Sequence, residues 1–351
     1  MSKLIRLAGQ EIGAKFPPYF IAEMSGNHNQ SLDKALEIVD LAATSGADAL
    51  KIQTYTPDTM TIDFNKNEFF ISDEKSLWKG NSLYDLYKKA HTPWEWHKPI
   101  QQRCNERGIV FFSTPFDATA VDFLEELNVP FYKIASFEIV DLPLIKRTAA
   151  TGKPLIMSTG MSSVGEIWDA VNAARSAGAK DIILLKCTSA YPATAADANL
   201  KSIPVMKETF GVEVGLSDHT MGTGVALAAI TLGATVVEKH FTGSRADGGV
   251  DSTFSMEPEE FRLMVQEGKK SWESLGQVKL EISEVEKKSL IYRRSIYVVD
   301  RINKGEVLTE KNIRIIRPGY GLAPKFIDEV LGKRATRDLE KGTALTWDLF
   351  L

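Results

Sequence analysis

Along the first three quarters of the chain, short apolar, β-branched runs alternate with longer stretches whose apolar residues recur at helical spacing. The short runs occupy residues 19–22, 49–52, 110–112, 131–134, 155–157, 182–186, 212–216 and 235–237. Their length and residue types predict strands. Between most of them lie amphipathic stretches such as 31–42 and 164–174, with Gly46 and Gly178 at the exits where a helix would end. Eight strand-then-helix units predict a (β/α)8 TIM barrel over residues 1–276.

Polar residues gather immediately after these strands, on the face where barrels of this kind place their chemistry. Glu23, Ser25, Asn27 and His28 follow the first. Lys51, Gln53 and Thr54 follow the second, Ser113 and Thr114 the third, and Lys133, Ser136 and Glu138 the fourth. Ser158 and Thr159, then Lys186, Thr188, Ser189 and Tyr191, follow the next two. Ser217 and His219, then Glu238 and His240, end the last pair. The two histidines close equivalent strands of a strand–helix–strand unit, each beside a carboxylate (Asp218, Glu238), so they share one rim within reach of one divalent cation. A lysine inside a barrel strand is costly against an apolar core, so Lys51 and Lys133 are expected to point into the mouth towards an anion. The other reading has them snorkelling outward.

The second connection, residues 55–108, is too long for a plain helix and carries Trp78, Asn81, Tyr84, Asp85, Tyr87, His91, Trp94, Trp96 and His97. It reads either as a lid or specificity loop, or as a satellite core that packs the insertion onto the barrel. Asn81 and Asp85, four apart, are its sugar-binding candidates. A charged stretch at 277–291 reads as a linker with some helix. Residues 292–351 then form a small module in which K-G-x-x-L-T occurs twice, at 304–309 and 341–346, around Arg317-Pro-Gly-Tyr-Gly321.

The chain has 351 residues, 44% hydrophobic and 25% charged, which is ordinary globular usage. A net charge of -4 without a basic stripe argues against a nucleic-acid partner. The start lacks an apolar signal region, and the most apolar stretch, 225–237, is interrupted, so no membrane span is expected. Cys104 and Cys187 stand far apart, which argues against a disulfide framework and for reducing cytoplasm; both read as small core residues. Lysines, hydroxyls and metal-ligand candidates around one mouth suit a phosphorylated, carboxylated substrate and condensation onto an aldehyde. No strand leads into a convincing G-x-G-x-x-G, so hydride transfer fits poorly.

Ala22-Glu-Met-Ser-Gly-Asn-His28, Lys51-Ile-Gln-Thr54, Tyr132-Lys-Ile-Ala-Ser136, Ser158-Thr-Gly-Met161, Ser189-Ala-Tyr-Pro192, Gly215-Leu-Ser-Asp-His-Thr220 and Glu238-Lys-His-Phe241 resemble, in order and spacing, the sialic acid synthase family. The C-terminal module resembles that family's antifreeze-like (SAF) domain. Residues 51–57, 82–87, 92–97, 135–141 and 251–256 look most like the pseudaminic acid synthase branch, with N-acetylneuraminic and legionaminic acid synthases as the alternative.

The resemblance implies a reaction of phosphoenolpyruvate with an amino-sugar aldehyde. It also implies a divalent metal, Mn2+ or Mg2+, held by His219 and His240, and a domain-swapped homodimer. Lys51, Thr114, Lys133, Ser136, Ser158, Ser189 and Ser217 would hold phosphoenolpyruvate. Glu23 would be the base or the orienter of the attacking water. Gln53, Asn81, Asp85, Glu138, Tyr191, Glu238 and Asp251 would face the sugar, and Arg317 would reach it from the partner. For Glu238, contact with the sugar, contact with metal-bound water, and orientation of a histidine all remain open.

Overall fold

The computed structural model describes residues 4–74 and 76–351. Its chain divides into two compact units, Met1–Gly276 and Gln277–Leu351.

The first unit opens with a hairpin of β1 (Ile5–Leu7) and β2 (Gln10–Ile12). Ala8 and Gly9 form its two-residue turn, both with positive φ, as a tight hairpin requires. Eight strands follow: β3 (Tyr19–Glu23), β4 (Ala49–Thr54), β5 (Val110–Pro115), β6 (Tyr132–Ile134), β7 (Leu155–Ser158), β8 (Ile182–Cys187), β9 (Glu213–Asp218) and β10 (Val236–His240). All pair in parallel with their sequence neighbours, and β10 closes on β3, giving the TIM-type barrel that the patterning predicts.

Side chains alternate strictly across the barrel wall. Tyr19, Ile21, Ala49, Phe112, Phe131, Ile156, Ile183, Leu185 and Val236 fill the interior, and Ile5, Leu7 and Ile12 of the hairpin pack into the same cluster. Phe20, Ala22, Leu50, Ile52, Tyr132, Met157, Leu184, Leu216 and Val237 face outward under the helices. Gly215 sits on the inner face where a Cβ would come within 2.7 Å of Leu185 Cδ2, so only glycine fits there. The interior apolar cluster therefore ends at one level, and the next inward positions towards the strand C-termini are all polar.

The long second connection resolves into two parts. Helix Trp94–Arg107 is the ordinary barrel helix, burying His97, Ile100 and Cys104. Trp94 stacks on Phe123 with ring centroids 4.6 Å apart, and His97 is bonded to Thr54 Oγ1 at 2.8 Å. These aromatics form the satellite core. Residues 55–93 are the true insertion. They carry helix Leu83–Ala90, which buries none of its residues.

The second unit pairs β11 (Ser295–Val298) with β12 (Ile313–Ile316), antiparallel. The sequence repeat becomes a structural one: Gly305 and Gly342 both adopt positive φ in turns, Leu308 and Leu345 that follow are fully buried, and Ile302 bridges to Leu339. Helix Glu284–Lys287, capped by Ser283, lies in the stretch read as linker.

Candidate active site

The first polar layer above the apolar interior is a set of four buried charges. Glu23, Lys51, Lys133 and Glu238 are each at most 4% exposed. Strand register places them: Glu23 lies opposite Lys51 on β4, and Glu238 opposite Ser217 on β9. Lys51 Nζ is 2.7 Å from Glu23 Oε2, 3.5 Å from Glu238 Oε1 and donates to Thr114 Oγ1 at 3.2 Å. Lys133 Nζ is also 3.5 Å from Glu238 Oε1. Both lysines thus point into the barrel mouth.

The four charges hold one another against the cost of burial. Burial pushes the Glu238 carboxyl up, but Lys133 and Lys51 outweigh it and hold that group below the usual carboxylate range. Glu23, with burial dominant and Lys51 beside it, is shifted upward. Burial lowers Lys133, while Glu23 and Glu238 keep Lys51 above its ordinary value despite burial. The set sums to zero charge, so a ligand bringing both a phosphate and a carboxylate requires further positive charge at this rim.

Hydroxyls line the same rim. Ser136 Oγ donates to Cys187 Sγ at 3.2 Å, Ser189 Oγ lies 3.8 Å from the same sulfur, and Ser158 Oγ is buried with no partner. Ser217 is buried on the inner face of β9. Gly160 closes this cradle: a Cβ there would stand 2.7 Å from Ser136 Oγ and would also strike Ser189 Oγ. Cys187 is buried, as the sequence implies, but it faces this cluster. Burial opposes its ionisation, yet His219, Ser136 and Lys133 bring its thiol down to about 7.

His219 and His240 stand with ring centroids 5.4 Å apart. His219 Nδ1 lies 2.9 Å from the Thr188 carbonyl, which can only accept, so Nδ1 carries the proton and Nε2 is the nitrogen available to a metal. His240 Nδ1 is buried without a hydrogen-bond partner, 3.9 Å from Asp251 Oδ2. Burial and the neighbouring cations hold His240 neutral, well below its ordinary value. Among the described residues no three His, Cys, Asp or Glu side chains converge as a ready-made ligand set. The donors present therefore fit a divalent cation held by two imidazoles, with oxygen atoms from outside the protein completing it.

Outside the histidines opens a cavity of about 440 Å3. Ser25, Gln53, Glu138, Ser189, Tyr191, His240 and Asp251 form its polar lining. Gln53 Nε2 donates to Glu23 Oε1 at 2.9 Å and to Ser25 Oγ at 3.1 Å, and Ser25 Oγ donates to Asp251. Ser25 holds a positive φ, a strained conformation of the kind found at functional sites. Burial raises Asp251 to about 6 and Glu138 to about 7, and Glu138 Oε2 has no partner. Asn27 fastens the loop bearing Asp251, donating to Phe241 O and Ser255 Oγ and accepting from Asp251 N.

Three sequence candidates are placed elsewhere. Asn81 is bonded to Lys89 and to Trp78 O, and Asp85 is engaged with Ser82 at the helix N-cap, so neither lines the cavity. Glu238 sits one inward layer below His240, between the two lysines, and does not line the cavity either. Asp218, the carboxylate beside His219, points outward and pairs with Lys239 at 2.9 Å. Gly160 and Cys187 are the positions at this rim that patterning missed, while Ser25, which follows the first strand, gains its contacts with Gln53 and Asp251 only in the fold. The strand parity that puts Lys133 inward would have found Cys187, two residues beyond inward Leu185. Arg317 belongs to the second unit, directly after β12.

Residues 38–280 match the model of the NeuB family and residues 293–351 that of the SAF domain. The chain belongs to the NeuB family. The NeuB relatives include the pseudaminic acid synthase of Helicobacter pylori, 45% identical over 333 residues that span 95% of this chain and 97% of the relative. The N,N'-diacetyllegionaminic acid synthase of Campylobacter jejuni is 36% identical over 92% of this chain and 96% of its own length. Among solved structures, the N-acetylneuraminic acid synthetase of Leptospira borgpetersenii, in complex with citrate, superposes with a TM-score of 0.73 at 33% identity, covering 84% of this chain and 97% of that one. No helix among the described residues is long and apolar enough to cross a membrane.

Proposed function

We propose that this chain is a pseudaminic acid synthase, condensing phosphoenolpyruvate with 2,4-diacetamido-2,4,6-trideoxy-L-altrose and water to give pseudaminic acid and phosphate. The observation that carries this reading is the charge-balanced inward set Glu23, Lys51, Lys133 and Glu238, directly beneath a histidine pair and a sugar-sized cavity, in a chain 45% identical end to end to a pseudaminic acid synthase.

Phosphoenolpyruvate enters with its anionic groups on Lys51 and Lys133, and Thr114, Ser136, Ser158, Ser189 and Ser217 donate to its oxygens. His219 and His240 would hold Mn2+ or Mg2+, which when bound would supply Lewis-acid polarisation of the aldehyde oxygen. Gln53, Glu138, Tyr191 and Asp251 orient the open-chain sugar so that its aldehyde carbon faces C3 of phosphoenolpyruvate. The new carbon–carbon bond leaves positive charge at C2, which Glu23 and Glu238 offset. Glu23 orients a water for attack at C2 and accepts its proton, the upward shift making it a better base than an ordinary carboxylate. Glu23 returns its proton to the alkoxide left by the aldehyde; the tetrahedral centre then collapses to the C2 ketone with C–O cleavage, the departing phosphate takes up the proton of the new C2 hydroxyl, and Lys51 and Lys133 receive the hydrogenphosphate dianion. Arg317 reaches the sugar from the partner of a homodimer.

The metal-supplied protein is incubated with phosphoenolpyruvate and each candidate sugar, and the product is identified by mass and NMR. Pseudaminic acid from the altrose derivative is the expected product. Product only from a mannose derivative would instead assign the chain to legionaminic or N-acetylneuraminic acid synthesis.

A further inference from the structure

Helix Leu83–Ala90 is amphipathic by sequence, with Leu83, Leu86, Tyr87 and Ala90 at the spacing that normally seats a helix on a core. None of the four belongs to a buried cluster of the protein. All four instead line the cavity at the barrel rim, joined by Met60 and Ile71 of the same insertion. The barrel side of the lining supplies the polar groups of Gln53, Glu138, His240 and Asp251, together with apolar surface from Phe116, Phe137 and Val250. The insertion's contribution to the cavity is thus mostly apolar while the carboxylates and the amide come from the barrel strands and loops, which suits a ligand with both apolar and hydrogen-bonding groups. Of the insertion's polar side chains, Asn81 and Asp85 are engaged locally and Trp78 Nε1 donates to Val250 O, which leaves the hydroxyls of Tyr55 and Tyr87 as those it adds to the lining.

We propose that the apolar surface formed by Met60, Ile71, Leu83, Leu86, Tyr87 and Ala90 is the specificity surface for the acceptor sugar, selecting acceptors with a methyl terminus over those with a terminal hydroxymethyl. This rests on the condensation reading above. A hydroxyl pressed against Leu83, Leu86 and Met60 gives up its water and gains no partner, whereas a methyl gives up nothing. Discrimination of this kind in an apolar pocket is worth roughly 10- to 100-fold. The wall does not separate two 6-deoxy acceptors that differ in ring stereochemistry; that task falls to the polar side.

The test uses the full chain, wild type and the variants Leu86→Gln and Leu83→Gln. Glutamine keeps helix propensity close to that of leucine while placing an amide on the wall. Calorimetry measures binding of 2,4-diacetamido-2,4,6-trideoxy-L-altrose and of its 6-hydroxy counterpart, and phosphate release is followed separately. Wild type is expected to bind the deoxy sugar roughly 10- to 100-fold more tightly. Each variant is expected to cut that ratio roughly tenfold while melting like wild type. Equal binding of the two sugars by wild type, or an unchanged ratio in both folded variants, overturns the proposal. A deoxy preference without phosphate release upholds the wall and overturns the condensation reading.

Discussion

Lys239→Met is the sharpest test of how the histidine rim is built. Lys239 is 2% exposed and faces out of the barrel, away from every substrate. Its ammonium pairs with Asp218 Oδ2 at 2.9 Å and donates to the carbonyls of Thr220 at 2.5 Å and Gly222 at 3.1 Å, so all three protons are used. Asp218 Oδ1 in turn accepts from Thr220 N and Oγ1. Together these bonds brace both sides of His219. Methionine fills much the same volume but leaves a buried carboxylate without its cation and two carbonyls without donors. Breaking a buried pair from one side costs about 3–5 kcal/mol. For a unit of this size that lowers the barrel's melting temperature by roughly 10 °C. Calorimetry follows the unfolding transition, and Lys239→Met is compared with Asp218→Asn and the double variant. The double variant is expected to be less damaged than the two single losses added together, since the charge is then removed from both sides. A barrel transition within about 0.5 kcal/mol of wild type for Lys239→Met, the ordinary range for a surface change, would refute the reasoning.

Four further outcomes follow from the geometry. Gly160→Ala drives a methyl into Ser136 and Ser189 and is expected to raise KM for phosphoenolpyruvate at least tenfold, the cost of about 1.4 kcal/mol of lost binding, with little change in melting; an unchanged KM removes Gly160 from the cradle. His28 and His97, held near 4 by burial, stay neutral in the fold while the unfolded chain protonates them near 6.5; each therefore withdraws about 3 kcal/mol of stability as pH falls from 6.5 to about 4, and His97→Gln should flatten the measured stability–pH slope in that window. Chelation is expected to abolish condensation reversibly without unfolding the barrel, because the histidine pair lies outside both apolar clusters; full activity in chelator would end the metal assignment. Co-expressed His219→Ala and Arg317→Ala chains should together regain up to about a quarter of wild-type activity, since about half the dimers are mixed and each mixed dimer has one of its two composite sites intact; no recovery argues against a site shared between subunits.

The sequence by itself determined the order of strands and helices, because alternation and helical periodicity are local properties. It also determined which polar residues end the barrel strands, since Glu23, Lys51, Lys133, Ser158, Glu238 and His240 follow their apolar runs directly, and the motifs carried the family. Tertiary structure decided sidedness and company. Asp218 and Glu238 both read as carboxylates beside a histidine, yet strand parity sends one outward to Lys239 and the other inward between two lysines. Packing likewise separates Trp94, at the start of a barrel helix and stacked on Phe123, from Trp78, which lies in the insertion and lines the cavity. Periodicity states that a helix has an apolar face, but only the closed barrel shows that Leu83, Leu86 and Ala90 turn that face towards a cavity. Gly160 stayed silent for the related reason that a close approach arises only when distant strands are brought together, and Ser25 showed its place after the first strand but not its strained φ.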